Sequence, residues 1–296
     1  MEEIITHSGF VAIVGCPNVG KSTLMNRVVG QKVAIVSAKP QTTRNRILGV
    51  LTEGGKQIVF LDTPGIHRPR TKLGDYMMRQ VDNSTHDMDA VVLVVEPNTS
   101  VPHAETNLIS NISCPVILAI NKIDEVRKDT LLSVISTYAQ AHSFHAILPI
   151  SAKTGEGVDM LMEQIASLLQ EGPAYFPTDM FTDQSERQML AEFVREKALH
   201  NLSEEVPHGI AVEIEEFHQR EDGLLEVGAV IYCEKKTHKG IIIGKDGEVL
   251  KRISTAARLD MQRLMGCKIY LRVFVKVREG WRDSERFIRT VGYRDD

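Results

Sequence analysis

The first 172 residues alternate short apolar runs with longer stretches whose apolar positions recur at helical spacing. FVAIVG, DAVVLVVE, CPVILAI and HAILPIS are continuously apolar, the pattern of strands covered on both faces of a parallel sheet. RILGVLTEGGKQIVFLDTPG reads as two strands joined at Gly54-Gly55, where the turn-prone pair breaks the apolar run. A helical pattern runs to about Gly30, and GVDMLMEQIASLLQ closes the region as another helix. Strands alternating with helices predict an α/β, doubly wound, mostly parallel sheet with right-handed crossovers. EGPAYFPTD, with two prolines and a glycine after a helix, predicts a linker. Beyond it, Met189, Leu190, Phe193, Val194, Ala198 and Leu199 recur at helical spacing. GIAVEIEEFHQREDGLLEVGAVIYCEK alternates apolar and polar residues about Asp222-Gly223, a hairpin signature. A helix from about Glu248 to Met265 and a strand, CKIYLRVFVKV, follow. The order α-β-β-α-α-β predicts an α+β unit with an antiparallel-type sheet. The expected division is residues 1–172, a linker at 173–182, and a second domain at 183–296.

Charge changes this picture in the second half. The net charge of −4 hides an uneven distribution. Residues 1–180 carry 15 Lys and Arg against 18 Asp and Glu, residues 181–234 carry 4 against 13, and residues 235–296 carry 16 against 8. A basic last third suggests a polyanion partner. The apolar runs are too short to cross a bilayer, and the N-terminal MEEIITHS lacks the basic and apolar regions of a signal peptide. Cys16, Cys114, Cys233 and Cys267 are scattered without Cys-x-x-Cys spacing and read as free thiols. His142 and His145 lack partners at ligand spacing and read as surface residues.

The chemistry sits at strand ends. Gly15-Cys16-Pro17-Asn18-Val19-Gly20-Lys21-Ser22 matches G-x-x-x-x-G-K-S between a strand and a helix. In such a loop, backbone N–H groups wrap the phosphates, Lys21 bridges β- and γ-phosphates, and the Ser22 hydroxyl ligates Mg²⁺. Gly15, Asn18, Val19, Gly20 and Thr23 complete the expected phosphate site. Asp62-Thr63-Pro64-Gly65 follows a strand, so Asp62 reaches the metal through water and Gly65 offers its N–H to a γ-phosphate. Asn121-Lys122-Ile123-Asp124 follows another strand, where the Asp124 carboxylate accepts from guanine N1–H and the exocyclic amine. Adenine lacks that donor pair, so the expected nucleotide is GTP or GDP with Mg²⁺. In Ser151-Ala152-Lys153 a backbone N–H is expected to meet guanine O6. Ligands of this fold class bind at the C-terminal edge of the strands, where all four elements fall.

The stretch from Lys239 to Ser254, KGIIIGKDGEVLKRIS, carries a second glycine loop, Gly244-Lys245-Asp246-Gly247, between an apolar triplet and a helix. Together these motifs resemble the Ras-like P-loop GTPases, and with the second domain the chain resembles the Era family of bacterial GTPases over essentially its whole length. The resemblance implies a G domain followed by a KH domain of the type II arrangement. KH loops clamp about four nucleotides of single-stranded RNA. The residues expected at the RNA are Lys239, Ile243, Gly244, Lys245, Asp246, Gly247, Lys251 and Arg252, with Ile241, Ile242 and Ile243 as an apolar floor for bases. The resemblance further implies binding to the 3′ end of 16S ribosomal RNA and the small ribosomal subunit, a role in its assembly, and a cytoplasmic location with peripheral membrane association. A monomer is expected. The alternatives are an RNA-modifying GTPase and a membrane or cell-cycle regulator. The second domain shows no nucleophile-base set that would favour the first.

Two departures from the Ras pattern bear on hydrolysis. The position of the water-orienting glutamine, just after Gly65, holds Ile66. The threonine expected to ligate Mg²⁺ in the GTP state falls on adjacent residues, Thr42 and Thr43, of which Thr43 is favoured. Residues 31–46 are polar and aperiodic, as a switch segment that orders on GTP would be. Lys21, Thr43 and Gly65 are the expected catalytic residues. Asn18 either holds K⁺ against the phosphates, as in similar GTPases with a PNVGKS loop, or caps the loop through its own backbone.

Overall fold

The structure is a computed structural model that describes residues 4–66, 69–85, 87–98 and 102–294. In chain order the first elements are β1 (His7–Val14), α1 (Lys21–Val29), β2 (Ile47–Glu53), β3 (Lys56–Asp62), α2 (Lys72–Asn83), β4 (Ala90–Val95), α3 (His103–Ile109), β5 (Val116–Ile120), α4 (Lys128–Ala141), β6 (Ala146–Pro149), α5 (Val158–Ala166) and β7 (Gln170–Glu171). They are followed by α6 (Glu186–Asn201), β8 (Ala211–Gln219), β9 (Leu225–Cys233), α7 (Lys236–Ile243), α8 (Glu248–Met265), β10 (Ile269–Val277) and α9 (Glu285–Thr290). The chain divides into two compact units, and the second takes in residues 35–42 and 69–76 as well as 184–296.

The first unit is a sheet of order β2-β3-β1-β4-β5-β6. β1, β3, β4, β5 and β6 are parallel, and β2 joins β3 as an antiparallel hairpin through Gly54-Gly55. Helices cover both faces, so β4 and β5 are buried along their whole length, which is why they read as unbroken apolar runs. β7 was not legible as a strand. It pairs antiparallel with the start of β1 at His7 and Ser8, ahead of the point where β4 begins to pair.

Residues 173–182, expected as a linker, are strapped along the first unit. Ser8 Oγ donates to Pro173 O at 2.8 Å, and Phe10 meets Tyr175 with ring centroids 4.7 Å apart. The fully buried Gln57 accepts from Tyr175 and Phe176 N–H at 2.7 and 2.9 Å and donates to Phe176 O at 2.8 Å. Farther on, Val50 N–H donates to Phe181 O and Thr182 Oγ1 to Leu48 O.

In the second unit, Ser185 and Gln188 form a capping box at the start of α6. The sheet order is β10-β9-β8. β8 and β9 form the expected antiparallel hairpin, but β10 runs parallel to β9, which corrects the expectation of an antiparallel-type sheet. The physical reason is the connection: α7 and α8 carry the chain from the end of β9 back to its beginning, and such a crossover produces a parallel neighbour. Part of the expected switch segment belongs to this unit. Ile35 lies in its core, Val36 N–H donates to Glu196 at 3.0 Å, and Arg195 donates to Thr42 O.

Candidate functional site

The first site is built from the loops at the C-terminal ends of β1, β3, β5 and β6. Gly20 caps α1 at φ 103°, a left-handed conformation that disfavours any Cβ, and an added Cβ would lie 2.2 Å from Asn121 Nδ2. That closeness joins the phosphate loop to the base loop: the buried Asn121 donates through Nδ2 to Val19 O at 2.7 Å and accepts at Oδ1 from Ala152 N–H at 2.8 Å. Lys21 is buried, and its Nζ donates to Gly15 O and Cys16 O at 2.9 Å each. Burial holds its pKa below the ordinary lysine value.

Ser22 Oγ donates to Asp62 Oδ2 at 2.7 Å and lies 2.9 Å from Thr43 Oγ1, itself 3.4 Å from Asp62 Oδ2. Asp62 is fully buried, and burial pushes its carboxyl up to about 6 against the pull of Lys21 and the hydroxyl of Ser22. Its second oxygen, Oδ1, is buried without a hydrogen-bond partner. Two hydroxyls converging with a carboxylate that keeps an open lone pair form an oxygen donor set of the kind Mg²⁺ takes, so the residues fit this metal. Thr42 points away, with its hydroxyl donating to Lys39 O at 2.6 Å. Gly65 follows β3, and the next residue, Ile66, donates its N–H to Gly15 O at 3.2 Å.

At the base loop, the Asp124 carboxylate is exposed and accepts from the buried Ser151 hydroxyl at 2.7 Å, which steadies it. Lys122 stands at φ 65° and pairs with Glu96. The Ala152 N–H is already engaged by Asn121, which leaves the Lys153 N–H of Ser151-Ala152-Lys153 for a ligand.

Three residues of this site were not legible. Asn26 on α1 accepts Val33 and Ala34 N–H at 2.9 Å each and donates to Ala34 O at 2.7 Å, so it clamps the start of the segment leading to Thr43. Arg27 donates to the carbonyls of Ala152 and Lys153. Glu105 on α3 is buried and accepts from Tyr138 Oη at 3.0 Å. Burial and Glu105 push the Cys16 thiol up to about 11, so it stays a thiol. Each is a single polar residue whose role depends on partners that no local pattern announces.

The second site is the loop between α7 and α8. Gly244 stands at φ 76° and ψ 176°, and an added Cβ would lie 2.5 Å from Val249 Cγ2, so the turn closes tightly onto the first turn of α8. Lys239, Lys245, Lys251 and Arg252 are exposed around it. Beside the loop, Glu248, Lys251, Arg252, Thr255, Ala256 and Leu259 line an open groove of about 490 Å³ with an apolar floor. The apolar triplet divides: Ile241 is half exposed, Ile243 is partly buried against the core, and Ile242 is a core residue with no exposed surface, unavailable as a floor for bases.

Among the described residues, all four cysteines are free thiols, and no helix is long and apolar enough to cross a membrane. Residues 10–122 match the model of a family described as 50S ribosome-binding GTPase, and residues 205–282 match that of the KH domain. The chain is 48% identical over 290 residues to GTPase Era of Ruminiclostridium cellulolyticum, covering 97% of both chains. It is 49% identical over 293 residues to GTPase Era of Clostridioides difficile, covering 97% of this chain and 99% of that one. Its fold superposes with a TM-score of 0.94, at 38% identity and over 97% of this chain and 99% of the other, on the crystal structure of Era in complex with MgGDPNP and nucleotides 1506–1542 of 16S ribosomal RNA. An Aquifex aeolicus Era variant bound to GDP·AlF4⁻ superposes at 0.93, with the same identity and coverage. With the nucleotide loops, the KH fold and nearly the full length matched together, the chain belongs to the Era family of GTPases.

Proposed function

We propose that this protein is a GTP-hydrolysing switch that binds the 3′ end of 16S ribosomal RNA through its KH loop and acts in assembly of the small ribosomal subunit. The observation that carries the reading is the convergence of Ser22, Thr43 and Asp62 beside a complete phosphate loop. The likeness to an Era structure solved with MgGDPNP and a 16S RNA segment supports the RNA half.

GTP enters with its phosphates on the N–H groups of Asn18 to Thr23 and the N-terminus of α1, where the helix dipole favours anions. Lys21 exchanges the Gly15 and Cys16 carbonyls for β- and γ-phosphate oxygens, a gain for a buried ammonium whose present partners carry no full charge. Ser22, Thr43 and, through water, Asp62 would hold Mg²⁺, which supplies charge neutralisation at the β–γ bridge. Gly65 offers its N–H to the γ-phosphate. Asp124 accepts the two guanine donors and rejects adenine, with Ser151 holding its carboxylate in place. Ile66 has no polar group to orient water, so backbone of residues 31–46 or a bound partner orders the nucleophile, and hydrolysis by the free protein is slow. Lys239, Lys245, Lys251 and Arg252 draw the RNA backbone to the Gly244–Gly247 turn, and bases lie in the groove on α8. The protein acts in the cytoplasm as a monomer, with peripheral association at the inner face of the membrane.

The test is salt-titrated binding of an RNA spanning the 3′ end of 16S ribosomal RNA, for the unmodified protein and for Gly247→Asp. A Cβ at Gly247 meets nothing within 4 Å, and aspartate tolerates its φ of 78°, so the variant folds. Affinity is expected to fall more than ten-fold, about 1.4 kcal/mol or more. Unchanged binding by Gly247→Asp would make the loop a structural turn and not the RNA site, and the absence of steeply salt-dependent binding in the unmodified protein would reject the RNA assignment in favour of a protein partner.

A further inference from the structure

We propose that Arg27, on the outer side of the base loop, is a positioning residue for guanine: it aims the Lys153 N–H at O6. The inference rests on the reading of the first site as a guanine site and adds a residue outside its motifs.

The backbone donors of the loop can be accounted for one by one. Ser151 N–H donates to Glu156 O at 2.8 Å, Ala152 N–H to Asn121 Oδ1 at 2.8 Å, Thr154 N–H to Ser151 Oγ at 3.1 Å, and Gly155 N–H to Ser151 O at 2.8 Å. Among the described residues, the Lys153 N–H is the donor of this run without a partner in the chain. That N–H belongs to the same peptide plane as the Ala152 carbonyl, and in a trans peptide the two point in opposite directions. Arg27 Nε donates to this carbonyl at 3.1 Å, and Nη2 donates to the next one, Lys153 O. Two adjacent carbonyls held by one planar guanidinium fix the tilt of the peptide between them. With its oxygen tied to Arg27 on one side, the peptide presents its hydrogen on the other. The arginine packs so close to the loop that a Cβ on Gly155 would stand 3.4 Å from Nη1 and 3.7 Å from Cζ. Arg27 sits two turns into the helix that begins at Lys21 and Ser22, which ties the orientation of the base donor to the phosphate-binding helix.

Ligand chemistry separates this role from a structural one. GDP and inosine diphosphate both carry O6, whereas 6-thioguanosine diphosphate keeps the donors facing Asp124 but replaces O6 with sulfur, a poor acceptor. Calorimetric titration of the full-length protein with each, in Mg²⁺, compares the unmodified chain with Arg27→Ala and Arg27→Lys. Arg27→Ala is expected to weaken GDP and inosine diphosphate by the same factor, about ten-fold, and the thio analogue less than about three-fold. Arg27→Lys, which reaches one carbonyl but cannot span both, should fall between. Equal losses for GDP and the thio analogue, or no loss for GDP, would overturn the proposal. Failure of the guanine reading itself would show differently, as comparable binding of ADP and GDP by the unmodified protein.

Discussion

Gly20→Ala tests whether the phosphate loop and the base loop are one mechanical unit. Gly20 stands at φ 103°, and alanine in the left-handed region costs about 1–2 kcal/mol. The larger effect is steric. The new Cβ would lie 2.2 Å from Asn121 Nδ2, and a side chain 3% exposed has nowhere to retreat without breaking its bonds to Val19 O and Ala152 N–H. Each buried group left unpaired costs about 1–3 kcal/mol. Together the substitution removes about 3–8 kcal/mol, a large share of the roughly 5–15 kcal/mol that holds a domain. Gly30→Ala is the internal control. It has φ 73° but open space within 4 Å, so it incurs the backbone cost alone. Urea titration followed by circular dichroism, together with GDP titration, gives the comparison. Trp281, the single tryptophan, is buried in the second unit, so its emission distinguishes unfolding there from loss of the nucleotide site. GDP affinity should fall at least about 30-fold in Gly20→Ala and stay near the original in Gly30→Ala. If the two variants lose equal stability, or Gly20→Ala binds GDP within about threefold of the unmodified protein, Asn121 does not couple the loops as argued.

Three further outcomes are expected. Asp62 titrates at about 6 without metal because it is buried, and Mg²⁺ requires the carboxylate, so Mg²⁺ affinity should be about ten-fold weaker at pH 5 than at pH 7.5; a flat calorimetric profile would contradict this. The sign for stability is opposite to that of an ion-paired carboxylate: the metal-free fold carries the penalty of a buried anion above pH 6, and it fades as pH falls toward 3.8. Asp124→Asn should lose GTP and gain xanthosine triphosphate, because the donor-acceptor match at the base inverts; unchanged GTP affinity would remove the guanine assignment. Hydrolysis should be faster in potassium than in sodium at equal ionic strength, and Asn18→Ala should erase the difference, whereas equal rates in the unmodified protein would leave Asn18 as a loop cap.

How far the sequence discloses the molecule depends on the range of the interaction. α8 is legible to the residue because an amphipathic stripe lies between Gly247 and Gly266, both in left-handed caps. The nucleotide loops are legible because each needs particular residue types at fixed spacing after a strand. Thr43 over Thr42 was favoured from sequence and is supported by the position of its hydroxyl beside Ser22 and Asp62. The direction of β10 was not legible, since apolar alternation reports which face is buried and not which way a neighbour runs. Arg27 and Gln57 look like ordinary polar surface residues, yet their partners lie 125 and 119 residues away. Ile242 illustrates a third limit: of three identical residues in a row, Ile241 is exposed, Ile242 is in the core and Ile243 is partly buried, because a helix turns about 100° per residue.

The strap that closes the first unit also sets an order in time. A chain emerging from a ribosome presents Gly15, Asp62, Asn121 and Lys153 in turn, so every nucleotide loop exists once Lys153 is out. The main-chain partners of buried Gln57 and the strand that covers the start of β1 come only with residues 170–176, and the contacts to Leu48 and Val50 only with Phe181 and Thr182. A nascent chain halted between these points holds its whole nucleotide-binding apparatus but leaves an open sheet edge and an interior amide paired only through its nitrogen to Thr52, a state prone to pairing with other chains. Translation through this short interval therefore decides whether the newly made switch is merely able to bind nucleotide or is also a finished, self-contained fold.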